Sequence, residues 1–399
     1  MTDPSPSPES HPSGMHPARM GHPRRSVTSP GTAPIFQTAA FDVPDLDVLH
    51  SMVRGDAFGH IYTRDSNPNH DALADSIARL EGAEAGAVFA SGMAAVSSVF
   101  LALMQQGDHL IIARTLYGRT LQLVERMRRL TGGSVTFVDV NQPHQFHEAL
   151  TPQTRFAFIE TVANPLLQVA DVQAVSTALG EIPLIVDATF TTPILSQPLR
   201  QGAAIVLHSA SKYLNGHGDV MSGVAAGSRR NMKRLLEAST IFGSNPNPFE
   251  SWLCQRGLRT LPLRMEQICR TTGDVARFLD SHPLVRRTWY PGLPSHPDHE
   301  TACRLYPGGT GGIVTFELSN AGQDAVSRFM RAAPQIPFAP TLADARTTIS
   351  HPASTSHRFL PEEERTAQGI TDETIRLSIG LEPADLIIRE ISAALEATA

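Results

Sequence analysis

Only two of the 33 basic residues in this 399-residue sequence are lysines, Lys212 and Lys233. Lys212 lies in "HSASKYLNGHGD" (208–219), just behind the apolar run "AAIVL" and beside Ser209 and Ser211. Arginine serves wherever a fixed positive charge is wanted, whereas a lysine amine can lose its proton and attack a carbonyl. Lys233, inside the basic helical patch "RRNMKRLL", has the setting of a solvated surface residue. Lys212, at the end of a buried-type strand, does not, which nominates it as a nucleophile.

A lysine that condenses with the carbonyl of pyridoxal phosphate needs three supports: an acid near the pyridine nitrogen, donors for the phosphate, and a ring to sandwich the cofactor. Asp187 closes "PLIVDA", where a carboxylate could keep the pyridine nitrogen protonated. A strand-end aspartate on its own is more commonly a turn or cap residue; its company favours the chemical role. The segment "SGMAAV" (91–96) follows a strand-like run and opens an apolar helix. Ser91, Gly92 and Met93 there offer small residues and backbone N–H groups at the positive end of a helix, suited to a phosphate, although serine is also an ordinary N-cap. Ser209 and Ser211 add hydroxyls to the same phosphate site. Glu160 and Asn164 are further polar residues at strand ends.

Such residues need a scaffold that gathers strand ends. Seven short apolar runs supply it: 85–91, 109–114, 134–140, 155–161, 183–189, 204–210 and 223–228, separated by helical stretches such as "HDALADSIARLEG" and "RTLQLVERMRRL". This alternation predicts an α/β fold with a mostly parallel seven-stranded sheet covered on both faces. Ligands of such sheets bind at the carboxyl ends of the strands. The predicted organisation is a disordered Pro/Ser/His-rich tail (1–27), an irregular arm (28–69) packing on another surface, a large cofactor-binding domain (70–250) and a smaller α/β domain (251–399). The last is expected to hold one long helical stretch over 250–282, strands at 311–319 and 374–380, and a closing helix "PADLIIREISAALEA".

Composition narrows the function. With 41% hydrophobic and 18% charged residues and a net charge of −6, the chain reads as soluble and globular, and nothing invites nucleic acid or an anionic membrane. No apolar run reaches the roughly 20 residues that cross a bilayer, and the first residues lack a secretory apolar region, so a cytoplasmic setting is expected. Cys254, Cys269 and Cys303 show no zinc spacing and are expected to be buried free thiols. The "HP" pairs at 11, 16 and 22 lack the fixed spacing of a metal site. No GxGxxG follows a strand, which argues against a nicotinamide enzyme.

In this set the sequence resembles the pyridoxal-phosphate enzymes of cysteine and methionine metabolism, of the aspartate-aminotransferase-like fold type I. The resemblance implies pyridoxal 5'-phosphate as cofactor, Lys212 as the residue that carries it and moves the substrate's protons, and Asp187 and Thr189, from "VDATFTTP", near the ring. "YTRDSNPN" (62–69) resembles the segment whose Tyr62 and Arg64 would reach the phosphate of a neighbouring subunit. That implies a homo-oligomer, a homotetramer built as a dimer of dimers. "LYGRT" places Tyr117 where the family stacks a tyrosine and uses it in proton transfer. "ETVANP" matches the Glu160 and Asn164 positions, Asn164 also serving substrate. "SHPASTSH" and "IRLSIGLE" resemble substrate-binding segments, with Arg376 taking the substrate carboxylate. Arg119 stands where methionine γ-lyases carry a cysteine, and Arg346, followed by Thr347, where cystathionine enzymes carry a glutamate. Arg346 is expected to attract a distal carboxylate such as that of a succinyl ester. The implied partners are an amino-acid substrate and a sulfur nucleophile, and the expected reaction is sulfhydrylation of an O-acylhomoserine to homocysteine. Cystathionine γ-lyase, β-lyase and γ-synthase activities are the alternatives.

Overall fold

The computed structural model of the protein describes residues 30–319, 322–358 and 360–398; the expected tail over 1–27 lies outside them. All seven apolar runs form strands of one sheet: β1 (Ala85–Phe89), β2 (His109–Ala113), β3 (Ser134–Val138), β4 (Thr154–Glu160), β5 (Leu184–Asp187), β6 (Ile205–Ser209) and β7 (Gly223–Gly227). They lie in the order β1-β7-β6-β5-β4-β2-β3. Neighbours from β6 across to β3 are parallel, while β7 runs antiparallel to both β6 and β1. The chain between β6 and β7 is the Lys212 loop rather than a crossover helix, so it returns directly beside β6 in the opposite sense.

Both faces of this sheet are covered, which is why its strands read as continuous apolar runs. Ile205 and Leu207 pack into one apolar cluster with Val99 and Phe100 of α3 (Gly92–Leu103). Val206, on the opposite face, packs into another with Leu73 and Ile77 of α2 (Pro68–Glu81). That second cluster also takes in Cys254 and Leu258 of the helix Pro248–Leu258 and Met265 of the helix Leu261–Asp280. The single helical stretch expected over 250–282 is therefore two helices, broken at Arg259–Thr260. The far end of the second, with Val275 and Leu279, packs on a smaller antiparallel sheet.

That sheet has the order β10-β11-β9-β8, with β8 (Val285–Trp289), β9 (Ile313–Leu318), β10 (Thr348–Ser350) and β11 (Thr374–Ser378). The closing helix Ala384–Glu396 buries Ile387 and Ile391 in the same cluster. β9 and β11 match the expected strands, whereas β8 and β10 carry no apolar run that would announce them. Cys254 and Cys269 are buried thiols, but Cys303 corrects the expectation: it is exposed. Before α2, the arm carries a short helix, α1 (Leu46–Arg54), none of whose residues is buried. Leu46, Val53 and Phe58 are each about 70% exposed, at 69%, 71% and 70%.

Candidate active site

β4, β5 and β6 are adjacent, and their carboxyl ends bring the polar residues together. Glu160 and Asp187 are register partners on neighbouring parallel strands, a separation of about 5 Å between backbones. Both carboxyls line a cavity of about 510 Å³ at the strand ends. Burial, and after it the Asp187 charge, pushes Glu160 up to about 8. Burial also raises Asp187, against the opposing pull of its hydrogen bonds from Thr189. Those bonds, from the Thr189 amide (2.9 Å) and hydroxyl (2.6 Å), both fall on Oδ1. The Asp187 side chain is thus oriented with Oδ2 available to a ligand. The Thr189 oxygen in turn accepts the Ser209 amide at 2.8 Å, tying β5 to β6. The Tyr117 amide donates to Glu160 Oε1 at 2.7 Å.

Lys212 follows β6 by three residues. Its Nζ donates to the Thr341 hydroxyl at 3.1 Å, and burial, with the Arg376 guanidinium second, lowers the amine from 10.5 to about 8. At neutral pH an uncharged, nucleophilic fraction is therefore far more accessible than for a solvated lysine. The loop is locked from behind by Arg264, which donates to the carbonyls of Tyr213 (2.6 Å), Leu214 (3.2 Å) and Gly257 (2.9 Å). Gly216 makes that possible: it sits at φ +75°, and a Cβ there would lie 1.9 Å from Arg264 Nη1. Sequence reasoning did not single out Arg264, because an arginine in a helix shows no sign of which loop it braces.

A phosphate corner sits beside this lysine. Ser91 caps α3 by accepting the Ala94 amide at 3.0 Å, and a helix leaves its first-turn amides without carbonyl partners. Gly92 and Met93 line the cavity at that helix start, with Ser209 and Ser211 across from them. A Cβ on Gly92 would fall 2.8 Å from the Ser209 Cβ, so only glycine allows the helix start this close to β6. Small residues, amides and hydroxyls beside a positive helix end form a cradle for a phosphate group. The buried acid Asp187 fits a protonated ring nitrogen, and Lys212 fits the aldehyde. The donor set thus suits pyridoxal phosphate.

The small domain closes the cavity. Arg376 of β11 is buried and donates to Asn164 Oδ1 and to the Thr341 carbonyl, both at 2.9 Å. Although burial drives it down to about 10, it stays charged at neutral pH and lines the cavity. Thr341, Thr355, Ser356 and Arg358 line it as well. Thr355 and Ser356 belong to the "SHPASTSH" segment and Thr341 opens "TLADARTTISHP" (341–352); Arg358 sits in a stretch without a motif.

Four expected residues stand apart from this cavity. Tyr62 and Arg64 are in the arm, where the Arg64 guanidinium lies 5.0 Å from the Tyr62 ring centre. Arg346 has a side chain 66% exposed and faces Asp344 at 3.9 Å; Thr347 is buried, its hydroxyl donating to Glu382 at 2.8 Å. The reason is local pairing. The Leu381 amide binds the Ala345 carbonyl, the chain bends at Ala345 and Arg346, and the Thr347 amide and hydroxyl both bind the Glu382 carboxylate. Thr347 therefore turns inward to Glu382 and Arg346 outward to solvent. Arg346 and Thr347, expected to touch substrate, are not among the residues that line this chain's own cavity.

A lysine of lowered basicity, a buried acid and a phosphate cradle at the strand ends of a two-domain α/β protein define an enzyme of the lysine-linked pyridoxal-phosphate class. The chain belongs to the family of Cys/Met metabolism PLP-dependent enzymes, whose profile matches residues 17–396. It is 38% identical over 368 residues to an L-methionine gamma-lyase of Porphyromonas gingivalis, covering 91% of this chain and 92% of the relative. It is 35% identical over 382 residues to an O-succinylhomoserine sulfhydrylase of Pseudomonas aeruginosa, covering 95% and 94%. A Campylobacter jejuni protein solved with N'-pyridoxyl-lysine-5'-monophosphate superposes with a TM-score of 0.89 at 29% identity, covering 95% of this chain and 99% of that one. Among the described residues no helix is long and apolar enough to cross a membrane.

Proposed function

We propose that this enzyme is a sulfhydrylase that replaces the γ-ester group of an O-acylhomoserine with sulfide, giving homocysteine. The observation that carries this reading is the distribution of charge in the cavity. Its lining carboxyls, Glu160 and Asp187, end β4 and β5, whereas Arg119, Arg358 and Arg376, from segments outside the large sheet, line it beside Lys212. A cystathionine arm ends in an ammonium beside a carboxylate, so guanidinium groups repel one and attract the other, and the methionine methyl gains nothing from them. An acyl oxygen or carboxylate is attracted. The cystathionine enzymes of the family form the second reading, because the strand-end residues would serve them equally.

When bound, pyridoxal phosphate supplies a carbonyl for the substrate amine and a ring that accepts electron density. Arg376 and Asn164 hold the substrate α-carboxylate. The Lys212 amine, uncharged in part near neutral pH, takes the α-proton and hands protons on along the substrate chain. Asp187, fixed by Thr189, holds the proton on the ring nitrogen. Tyr117 accepts a proton from the entering amine and assists the departing acyl group. Ser91, Gly92, Met93, Ser209 and Ser211 hold the phosphate, and Glu160 fixes Tyr117 through its backbone.

Tyr62 and Arg64 complete the phosphate site of a second copy in this reading, in a homotetramer built from dimers. The exposed apolar residues of the arm support a covering partner. Mixing inactive Arg64→Ala with inactive Lys212→Ala subunits is then expected to restore activity, since one hybrid site regains both groups; confirmed exchange without recovery refutes it. The reaction itself is tested by incubating the enzyme with O-acetyl- or O-succinylhomoserine plus sulfide, and with cystathionine or methionine alone. Homocysteine from an ester is the expected product, and faster cleavage of cystathionine or methionine would replace this reading.

A further inference from the structure

The cavity uses one arginine, Arg376, for the α-carboxylate, and two more line it: Arg119 at the start of α4 (Gly118–Thr131) and Arg358 behind Ser356. They come from distant parts of the sequence, yet their backbones meet. A Cβ on Gly118 would lie 3.0 Å from the Ser356 carbonyl oxygen, which sets Arg119 and Arg358 one and two residues away from that contact. Both are exposed, as rim residues are. Arg119 is steadied along its helix, its Nη1 donating to Gln122 Oε1 at 2.8 Å.

Two guanidinium groups from facing segments at a cavity mouth form a site for an anion, and planar N–H forks suit a carboxylate in particular. Arg376 is buried deep between the domains, so a substrate whose α-carboxylate is seated there directs the far end of its side chain toward the opening. Arg346, which carries the same kind of charge, faces Asp344 outside the cavity. We infer that Arg119 and Arg358 form a distal carboxylate subsite that selects an acyl group ending in a carboxylate, the succinyl rather than the acetyl ester. This rests on the sulfhydrylase reading for its substrate, but not for the anion site itself.

Two measurements on the holoenzyme test it. In the first, steady-state kinetics with sulfide compare O-succinyl- with O-acetylhomoserine for the wild type, Arg119→Ala, Arg358→Ala and the double variant. The succinyl-to-acetyl ratio of kcat/KM is expected to fall about three- to fivefold in each single variant, mainly through the succinyl KM, as for loss of one charge-assisted bond at a solvent-accessible rim. In the second, titration calorimetry with succinate is expected to show binding to the wild type that weakens with added salt and is lost in the double variant. Unchanged ester ratios, or succinate binding that ignores both substitutions, overturn the subsite while leaving sulfhydrylation standing. Conversely, if neither ester reacts but succinate binding still depends on both arginines, the sulfhydrylase reading falls and the anion subsite survives.

Discussion

Lys212, in the loop that leaves β6, has its amine buried against the Thr341 hydroxyl of the small domain, whereas Lys233, on the helix Arg229–Phe242, is 78% exposed and faces Glu237 across one turn at 4.0 Å. Both are lysines in a chain that otherwise uses arginine for its basic residues. The amine at the first position is desolvated and sits near a second buried cation, Arg376, so its charged form is disfavoured. The ammonium at the second keeps its water. The same side chain thus holds an uncharged fraction near neutral pH in one place and a solvated charge in the other, and the difference lies in what the tertiary structure packs around it.

Breaking the comparison at its chemical end has the largest expected effect. Lys212→Ala should abolish the visible absorbance of the lysine-linked cofactor and reduce turnover by about 10³-fold or more, while Lys233→Ala keeps both. Loss of the band in both variants, or in Lys233→Ala only, would overturn Lys212 as the nucleophile.

The pH response sharpens it. The uncharged fraction of the Lys212 amine grows about tenfold per pH step up to 8 and then levels. Capture of pyridoxal phosphate by the cofactor-free protein, followed by stopped-flow absorbance, should follow that curve. Arg376→Met removes the second cause of the lowered value, so the plateau should move to higher pH.

Stability carries the same signature. In the cofactor-free protein the Lys212 amine takes its proton near 8, and in the unfolded chain near 10.5. Between those values the unfolded state binds more protons, so stability falls as pH drops from 10.5 to 8, and the full cost of the buried charge remains below 8. Lys212→Met should therefore stabilise the cofactor-free protein at pH 7 by on the order of 3 kcal/mol. The gain should fade toward pH 10.5 in urea denaturation; equal gains at both ends would mean that packing rather than charge is responsible.

At the solvated end the effect should be smallest. Glu237→Ala breaks an ion pair whose partners are 78% and 60% exposed, and such pairs contribute about 0.5 kcal/mol or less. A larger change in the urea midpoint would show that the exterior of this helix does more than hold water.

The sequence by itself determined the large sheet and much of the strand-end chemistry. β2 and β4 to β7 are buried on both faces, so each is written as an apolar run, and a polar residue that ends such a run, as Glu160, Asp187 and Ser209 do, stands out; β3, at the sheet edge, is only half-buried. β8 was illegible because its middle is Arg286 and Arg287 on a half-exposed strand, and β10 because three residues make no pattern. The break at Arg259–Thr260 is marked only by Pro262 at the start of the second helix, because the apolar period runs on across it. What only the tertiary structure decided is which residues from distant segments meet. Thr341 reaches Lys212, Arg264 braces the loop behind it, and Arg358 arrives beside Arg119 through packing between domains that no local period encodes. Arg346 and Thr347 are the reverse case: their types suit an anionic substrate, but one backbone bond from Leu381 to Ala345 and the hold of the Glu382 carboxylate on Thr347 set where they point. A residue's chemistry is local and readable, whereas the direction in which it points depends on hydrogen bonds made with chain far away in sequence.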